Sequence, residues 1–166
     1  MPLLSLCIPT YNRAGYLKEC LDSIVSQFKD KNIFRRVEII ISDNNSRDQT
    51  QELVKQYRRK YPNIRYFKNK NNIGSVRNVI KAISYTRGDY IWFFADDDLH
   101  KEKSLQTVLR VIKTNEPEVI LSNIDLYSKD GKDLIDPNLL RITQNIYLKS
   151  KKELFSFLED KILVVN

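Results

Sequence analysis

Apolar positions along the chain keep changing period. Leu3 to Ile8 is a short apolar run stopped by Pro9, which reads as a buried strand. Leu17, Leu21, Ile24, Val25 and Phe28 then recur at helical spacing. Val37 to Ile41 is a second, β-branched run that stops at "SDNNSRD". Leu53, Val54 and Tyr57 predict a helix closed by Pro62, and Ile64 to Phe67 a short strand. After the loop "NKNNIG", residues Val76, Val79, Ile80 and Ile83 form one helical face ended by Gly88. Tyr90 to Phe94 is the fourth strand; Leu105, Val108, Leu109 and Ile112 mark the next helix. A fifth strand is expected from Val119 to Leu121.

Strands alternating with helices predict an α/β fold with a mostly parallel central sheet and helices on both faces. Unbroken apolar runs are what parallel strands buried on two faces require. In such sheets ligands bind beyond the carboxyl ends of the strands. That rule gathers four polar segments on one rim: "PTYNR", "SDNNSRD", "NIGSVRN" and "DDD", one after each of the four strands. Asp43, Arg77 and Asp96 to Asp98 can therefore converge although they are far apart in sequence.

The regularity fades after residue 125. "KDGKD" (129–133) and Asp136–Pro137 signal turns, and residues 150–163 pattern as a last helix through Leu154, Phe157, Leu158 and Ile162. The expected division is a first domain over 1–125 and the start of a second region over 126–166. The apolar end "ILVVN" suggests a piece of a longer protein.

Charge narrows the choice of partner. Lys and Arg number 28 against 21 acidic residues, a net charge of +7, which suits an anionic partner. Cys7 and Cys20 lie in apolar-periodic segments at no metal-site spacing, so two reduced core thiols in a cytoplasmic protein are expected. No run approaches the roughly 20 apolar residues that span a bilayer.

On the rim, Asp96 to Asp98 suit a hard divalent cation such as Mn²⁺ or Mg²⁺, which takes one or two carboxylates and completes its shell with water and phosphate oxygens. Arg77 follows a glycine loop and can offer a planar fork to phosphate. Asp43 ends a buried strand, where its carboxylate can accept from a base N–H or a sugar hydroxyl. Tyr11 can stack on a base, Arg13 can reach phosphate or solvent, and Asn78 is expected to brace its loop. Asn44, Asn45, Ser46 and Asp48 read equally as loop and helix-capping residues. His100 is expected on the surface. The chain has neither G-x-G-x-x-G after its first strand nor G-x-x-x-x-G-K-[ST], against dinucleotide-binding and P-loop readings.

Taken in order, "LSLCIPTYNR", "VEIIISDNNSRDQT", "NNIGSVRN" and "GDYIWFFADDDL" resemble the nucleotide-sugar-binding half of family 2 glycosyltransferases of the GT-A fold, over about residues 3–125. "FFADDDL" is most similar to members that build O-antigen or capsule, including abequosyltransferase-like ones. The resemblance implies inverting transfer of a sugar from a nucleotide donor, usually UDP-linked, to a saccharide or lipid-linked acceptor. It implies donor contacts from Pro9, Thr10, Tyr11, Arg13, Asp43, Asn45, Arg77 and Asp96, with the metal on Asp97 and Asp98. The family's D-x-D-D pattern reads A-D-D-D here, with Ala95 at the first acid; Asp96 and Asp98 form an alternative D-x-D pair. The lack of a signal-like start and of a spanning run predicts a cytoplasmic protein, and the cationic excess predicts peripheral contact with an anionic membrane; no nucleic-acid binding is expected. The carboxylate base that such enzymes use has no candidate among Asp125, Asp130, Asp133, Asp136, Glu153, Glu159 and Asp160, and is expected beyond Asn166.

Two other readings compete. Asp96-x-Asp98 after a strand imitates the nucleophile motif of haloacid-dehalogenase-like phosphatases, but that motif should follow the first core strand. A basic nucleic-acid-binding module fits the charge, but the cations are scattered and no reading helix or RNP signature appears.

Overall fold

In the computed structural model, residues 1–128, 131–137, 139 and 153 are described. The chain divides into two compact units, Met1–Glu116 and Pro117–Asn166, earlier in the sequence than residue 125. The first holds four strands: β1 (Leu4–Thr10), β2 (Val37–Asp43), β3 (Ile64–Lys68) and β4 (Tyr90–Phe93). All pair in parallel, in the order β3-β2-β1-β4. Five α-helices accompany them: α1 (Ala14–Val25), α2 (Lys31–Arg36), α3 (Thr50–Lys60), α4 (Ser75–Ser84) and α5 (Ser104–Asn115), with a short 3-10 helix at Ser26–Lys29.

The two central strands carry the core. Every residue of β2 is buried, as is all of β1 except Pro9. Cys7 and Ile40 are in register, and Ala82 of α4 packs on them, with Phe67 and Tyr85 stacked alongside at 3.8 Å. Leu6, Ile8, Ile39 and Ile41 alternate to the other face and are equally closed to solvent. Right-handed crossovers place α1 and α3 on that face as the chain steps from β1 to β2 to β3. The return to β4 reverses direction and puts α4 on the opposite one. Helices therefore cover both faces, as the apolar runs predicted. Both cysteines are free and buried.

The amino ends of the strands are closed by a polar anchor. Glu38, 5% exposed, accepts from Ser5 Oγ (2.7 Å), from the Arg87 N–H (2.7 Å) and from Arg65 Nη1 (3.2 Å). Ser5 Oγ also accepts from the Gly88 N–H at 2.9 Å. A Cβ on Gly88 would stand 2.8 Å from Ser5 Oγ and 2.9 Å from its backbone nitrogen, which is why glycine occupies this approach.

Some expectations change. The segment from Val119 to Leu121 forms no strand. Instead β5 (Leu126–Tyr127) and β6 (Leu134–Asp136) pair antiparallel in the second unit, where Gly131 turns at φ 72°. The reason is that a three-residue apolar run carries no periodicity able to separate strand from coil. Helix α2 was not anticipated, because its single buried residue, Ile33, gives no repeat. The helix predicted over 150–163 lies outside the described residues except for Glu153. No helix among the described residues is long and apolar enough to cross a membrane.

Candidate functional site

The carboxyl ends of β1, β2 and β4 and the loops that follow them make one rim. Thr10 and Asp43 are register partners at the ends of β1 and β2. Thr10 Oγ1 donates to Asp96 Oδ2 at 2.7 Å, joining β1 to the loop after β4. Arg13 Nη1 lies 3.0 Å from Asp96 Oδ1, and its Nη2 donates to Asp97 Oδ2 at 2.6 Å. The guanidinium thus spans two adjacent carboxylates, and packs over the Tyr16 ring at 4.8 Å. Asp43, Asp96 and Asp97 sit on one side of the molecule, as the sequence required.

The three aspartates differ in environment. Asp96 is 4% exposed, and burial raises its carboxyl above the ordinary range while Thr10 and Arg13 oppose that rise. Asp98, like Asp97, is exposed as a residue, but partial desolvation of its carboxyl and the neighbouring Asp97 charge raise it. Its N–H reaches the Ala95 carbonyl at 3.3 Å, so the triplet turns back on itself. Asp97 is exposed. Among the described residues no group of three or more His, Cys, Asp and Glu is arranged to hold a metal. A pair of carboxylates suffices for Mn²⁺ or Mg²⁺, whose other ligands are phosphate oxygens and water. The guanidinium held between Asp96 and Asp97 marks this corner as one that draws a cation.

The walls of the rim are laced together. The Asn12 N–H donates to Ser46 Oγ (2.9 Å), the Arg47 N–H to Asn12 Oδ1 (2.7 Å), and the Ala14 N–H to Asp48 Oδ2 (2.9 Å). Asn12 and Asn45 adopt positive φ, 53° and 71°, which Asn tolerates better than most residues. Burial would raise Asp48, but hydrogen bonds from Thr50 and Ala14 hold it below the usual carboxylate range. Asp48 therefore ties the start of α3 to the start of α1, and Ser46 braces Asn12.

Behind this wall lies a buried amide cluster. Asn44 Oδ1 accepts from Asn69 Nδ2 (3.1 Å) and the Ile73 N–H (2.9 Å), while Asn44 Nδ2 donates to Asn72 Oδ1 (2.8 Å). Asn78 Oδ1 accepts from Ser42 Oγ and Asn69 Nδ2, and its Nδ2 donates to the Ser42 carbonyl. Asn78 braces the loop as expected. The cluster fixes residues 69–74 and the turn at Gly74, φ 83°, from which α4 starts. Arg77 stands on the first turn of α4, exposed.

Asp43 itself is fully closed to solvent, with Oδ1 accepting from the Ser46 N–H at 2.7 Å and Oδ2 from the Tyr66 hydroxyl. Tyr66 was not anticipated, nor were Asn12 and Asn69. Asn12 could have been suspected from its place beside Tyr11, and Asn69 from the density of Asn in its loop. Tyr11 is 41% exposed, open for a ring to lie against it. Pro9 is partly buried in β1, and Asn45 is half-buried in the loop after β2.

His100 corrects the surface expectation. It is 7% exposed, stacked on Phe94 at 3.9 Å and edge-on to Trp92 at 4.7 Å. Its Nδ1 meets Ser104 Oγ at 3.2 Å, and Nε2 has no partner. Burial lowers its pKa to about 4, so it is neutral near pH 7. The flanking polar residues hid the aromatic slot that receives it.

Comparison with known proteins agrees with this geometry. The description "Glycosyl transferase family 2" fits residues 5–163. Abequosyltransferase RfbV of Salmonella typhimurium is 36% identical over 93% of this chain and 44% of its own length. The GalNAc(5)-diNAcBac-PP-undecaprenol beta-1,3-glucosyltransferase of Campylobacter jejuni is 34% identical over 79% of this chain and 40% of its own. S. aureus TarS 1–349, crystallised with UDP-GlcNAc, superposes with a TM-score of 0.69 at 25% identity, covering 84% of this chain and 38% of that one. The chain thus spans less than half the length of these relatives, and its sheet is that of the GT-A glycosyltransferases. By sequence, fold and rim, the chain belongs to glycosyltransferase family 2.

Proposed function

We propose that this chain is the donor-binding part of an inverting, metal-dependent glycosyltransferase. It takes a nucleotide sugar, UDP-linked in the first instance, and serves transfer to a saccharide or lipid-linked acceptor in cell-surface polysaccharide synthesis. The observation that supports it best is the convergence of Thr10, Arg13, Asp43, Asp96 and Asp97 on one rim. The undecaprenol acceptor in the Campylobacter relative's name and the net charge of +7 favour work at the inner face of an anionic membrane.

In this reading Tyr11 lies against the base and Asp43 accepts a base N–H, with Pro9 and Asn45 shaping the cleft. Asp96, held by Thr10, accepts from the ribose. Asp97 and Asp98 would hold Mn²⁺ or Mg²⁺, and Arg77 would pair with the diphosphate. The bound ion would supply Lewis-acid neutralisation of the departing diphosphate. Arg13, on the same rim, offers a second cation to the phosphates.

Calorimetry with UDP, GDP and CDP, with and without Mn²⁺, tests the reading. One nucleotide should bind at least tenfold more tightly with metal, and Asp97→Ala should abolish that gain. Equal, metal-independent binding of all three would refute it.

A further inference from the structure

The weak point of a base-recognition role for Asp43 is that nothing can reach its carboxylate as it stands. It is fully buried, and each oxygen already has a donor. Each oxygen could take a second donor, but with the side chain closed to solvent an incoming N–H has to move aside one of the groups that cover it. The Ser46 N–H is a poor candidate, because the loop that carries it is held to residues 12–14 by three hydrogen bonds. The other donor is a side chain. Tyr66 is half-buried and projects from β3, which among the described residues has a strand neighbour on one side only. A modest turn about its side-chain torsions withdraws the hydroxyl without disturbing the backbone.

We propose that the Tyr66 hydroxyl is a built-in competitor for the base, occupying the Asp43 oxygen that a base N–H takes over on binding. This deepens the donor-binding reading and rests on it. The exchange swaps one hydrogen bond to a carboxylate for another, so the buried charge always has a donor. It also filters bases. Uracil N3–H and guanine N1–H can replace the phenol. Cytosine N3 carries a lone pair and meets the carboxylate unfavourably. A base without the right donor leaves Tyr66 in place and the cleft shut. Tyr66 is thus a specificity-determining residue that acts through Asp43.

Removing the hydroxyl should therefore tighten binding, the opposite of what loss of a merely structural contact does. In Tyr66→Phe, with Mn²⁺ present, affinity for UDP or GDP (whichever binds the parent chain) should rise by about tenfold, on the scale of one charge-assisted hydrogen bond. Affinity for CDP should change less than twofold. In the unaltered chain, the N3-methyl analogue of UDP, or the N1-methyl analogue of GDP, should bind at least tenfold more weakly than its parent nucleotide. That measurement needs no variant to fold. Unchanged or weaker binding in Tyr66→Phe, or equal binding of the methylated nucleotide, overturns the proposal. Asp43→Asn separates the two levels. If it leaves nucleotide affinity unaltered, the base contact itself is wrong. If it weakens binding while Tyr66→Phe has no effect, only the competitor role fails.

Discussion

Removing Arg13 exposes what the rim costs to build. In Arg13→Ala, Asp96 keeps Thr10 as its side-chain donor but loses the charge 3.0 Å away. Two unit charges about 4 Å apart attract by roughly 4 kcal/mol at an effective dielectric constant of 20. That overstates the loss here, because the arginine side chain is 41% exposed and screened by water. The Asp97 contact joins two groups each 41% exposed and contributes about 0–1 kcal/mol. The Asp96 contact reaches a side chain only 5% exposed, so its loss leaves a nearly buried charge unpaired, at about 2 kcal/mol. The sum is about 2–3 kcal/mol at pH 8, read as a lower urea midpoint at unchanged slope. The sign of the pH dependence follows. Burial already raises the Asp96 carboxyl in the folded state, and removing Arg13 raises it further. An acid whose folded pKa lies above its unfolded value costs stability as pH rises through that window. The deficit should shrink as pH falls and Asp96 takes up a proton. Asp96→Asn should rescue most of it in a double-mutant cycle. Mn²⁺ should restore the variant more than it stabilises the parent, since the ion then replaces a missing cation instead of displacing a present one. A deficit below about 0.5 kcal/mol, or one that persists undiminished in the Asp96→Asn background, would refute the reasoning.

Other outcomes follow from the same structure. Glu38→Ala removes the acceptor shared by Ser5, the Arg87 N–H and Arg65 and should cost about 3–5 kcal/mol in urea unfolding, with nucleotide affinity unchanged in whatever remains folded. Gly88→Ala forces Cβ into the Ser5 backbone and should lower the melting temperature by several degrees, at a cost of about 1–3 kcal/mol. His100 has a folded pKa of about 4 against an unfolded value near 6.5, so stability should fall as pH drops through that interval. In His100→Phe that portion of the slope should vanish from melting curves taken between pH 4 and 7. Asn78→Ala leaves Ser42 and Asn69 without their buried partner, and should cost about 2–3 kcal/mol together with a weaker response to nucleoside diphosphate.

The strands were legible because both faces of β1 and β2 are buried, leaving unbroken apolar runs such as Ile39, Ile40 and Ile41. The rim was legible because a parallel sheet puts every strand's carboxyl end on one side. What stayed hidden depends on meetings between distant loops. Nothing near Arg13 in the sequence says that it straddles Asp96 and Asp97, since the choice between phosphate, solvent and carboxylate is made by how α1 begins. Tyr66 read as an ordinary strand aromatic, because only the register of β3 against β2 brings its hydroxyl to Asp43. His100 misled for a related reason. Polar neighbours in sequence suggested solvent, while Trp92 and Phe94 closed round it in space.

The polar anchor around Glu38 and the recognition loops occupy opposite tips of the same strands, with a purely greasy span between them. Selection can therefore redraft what the molecule grips without disturbing that distant clamp. A protein engineer reshaping the rim would have the same freedom, provided the distant clamp is left alone.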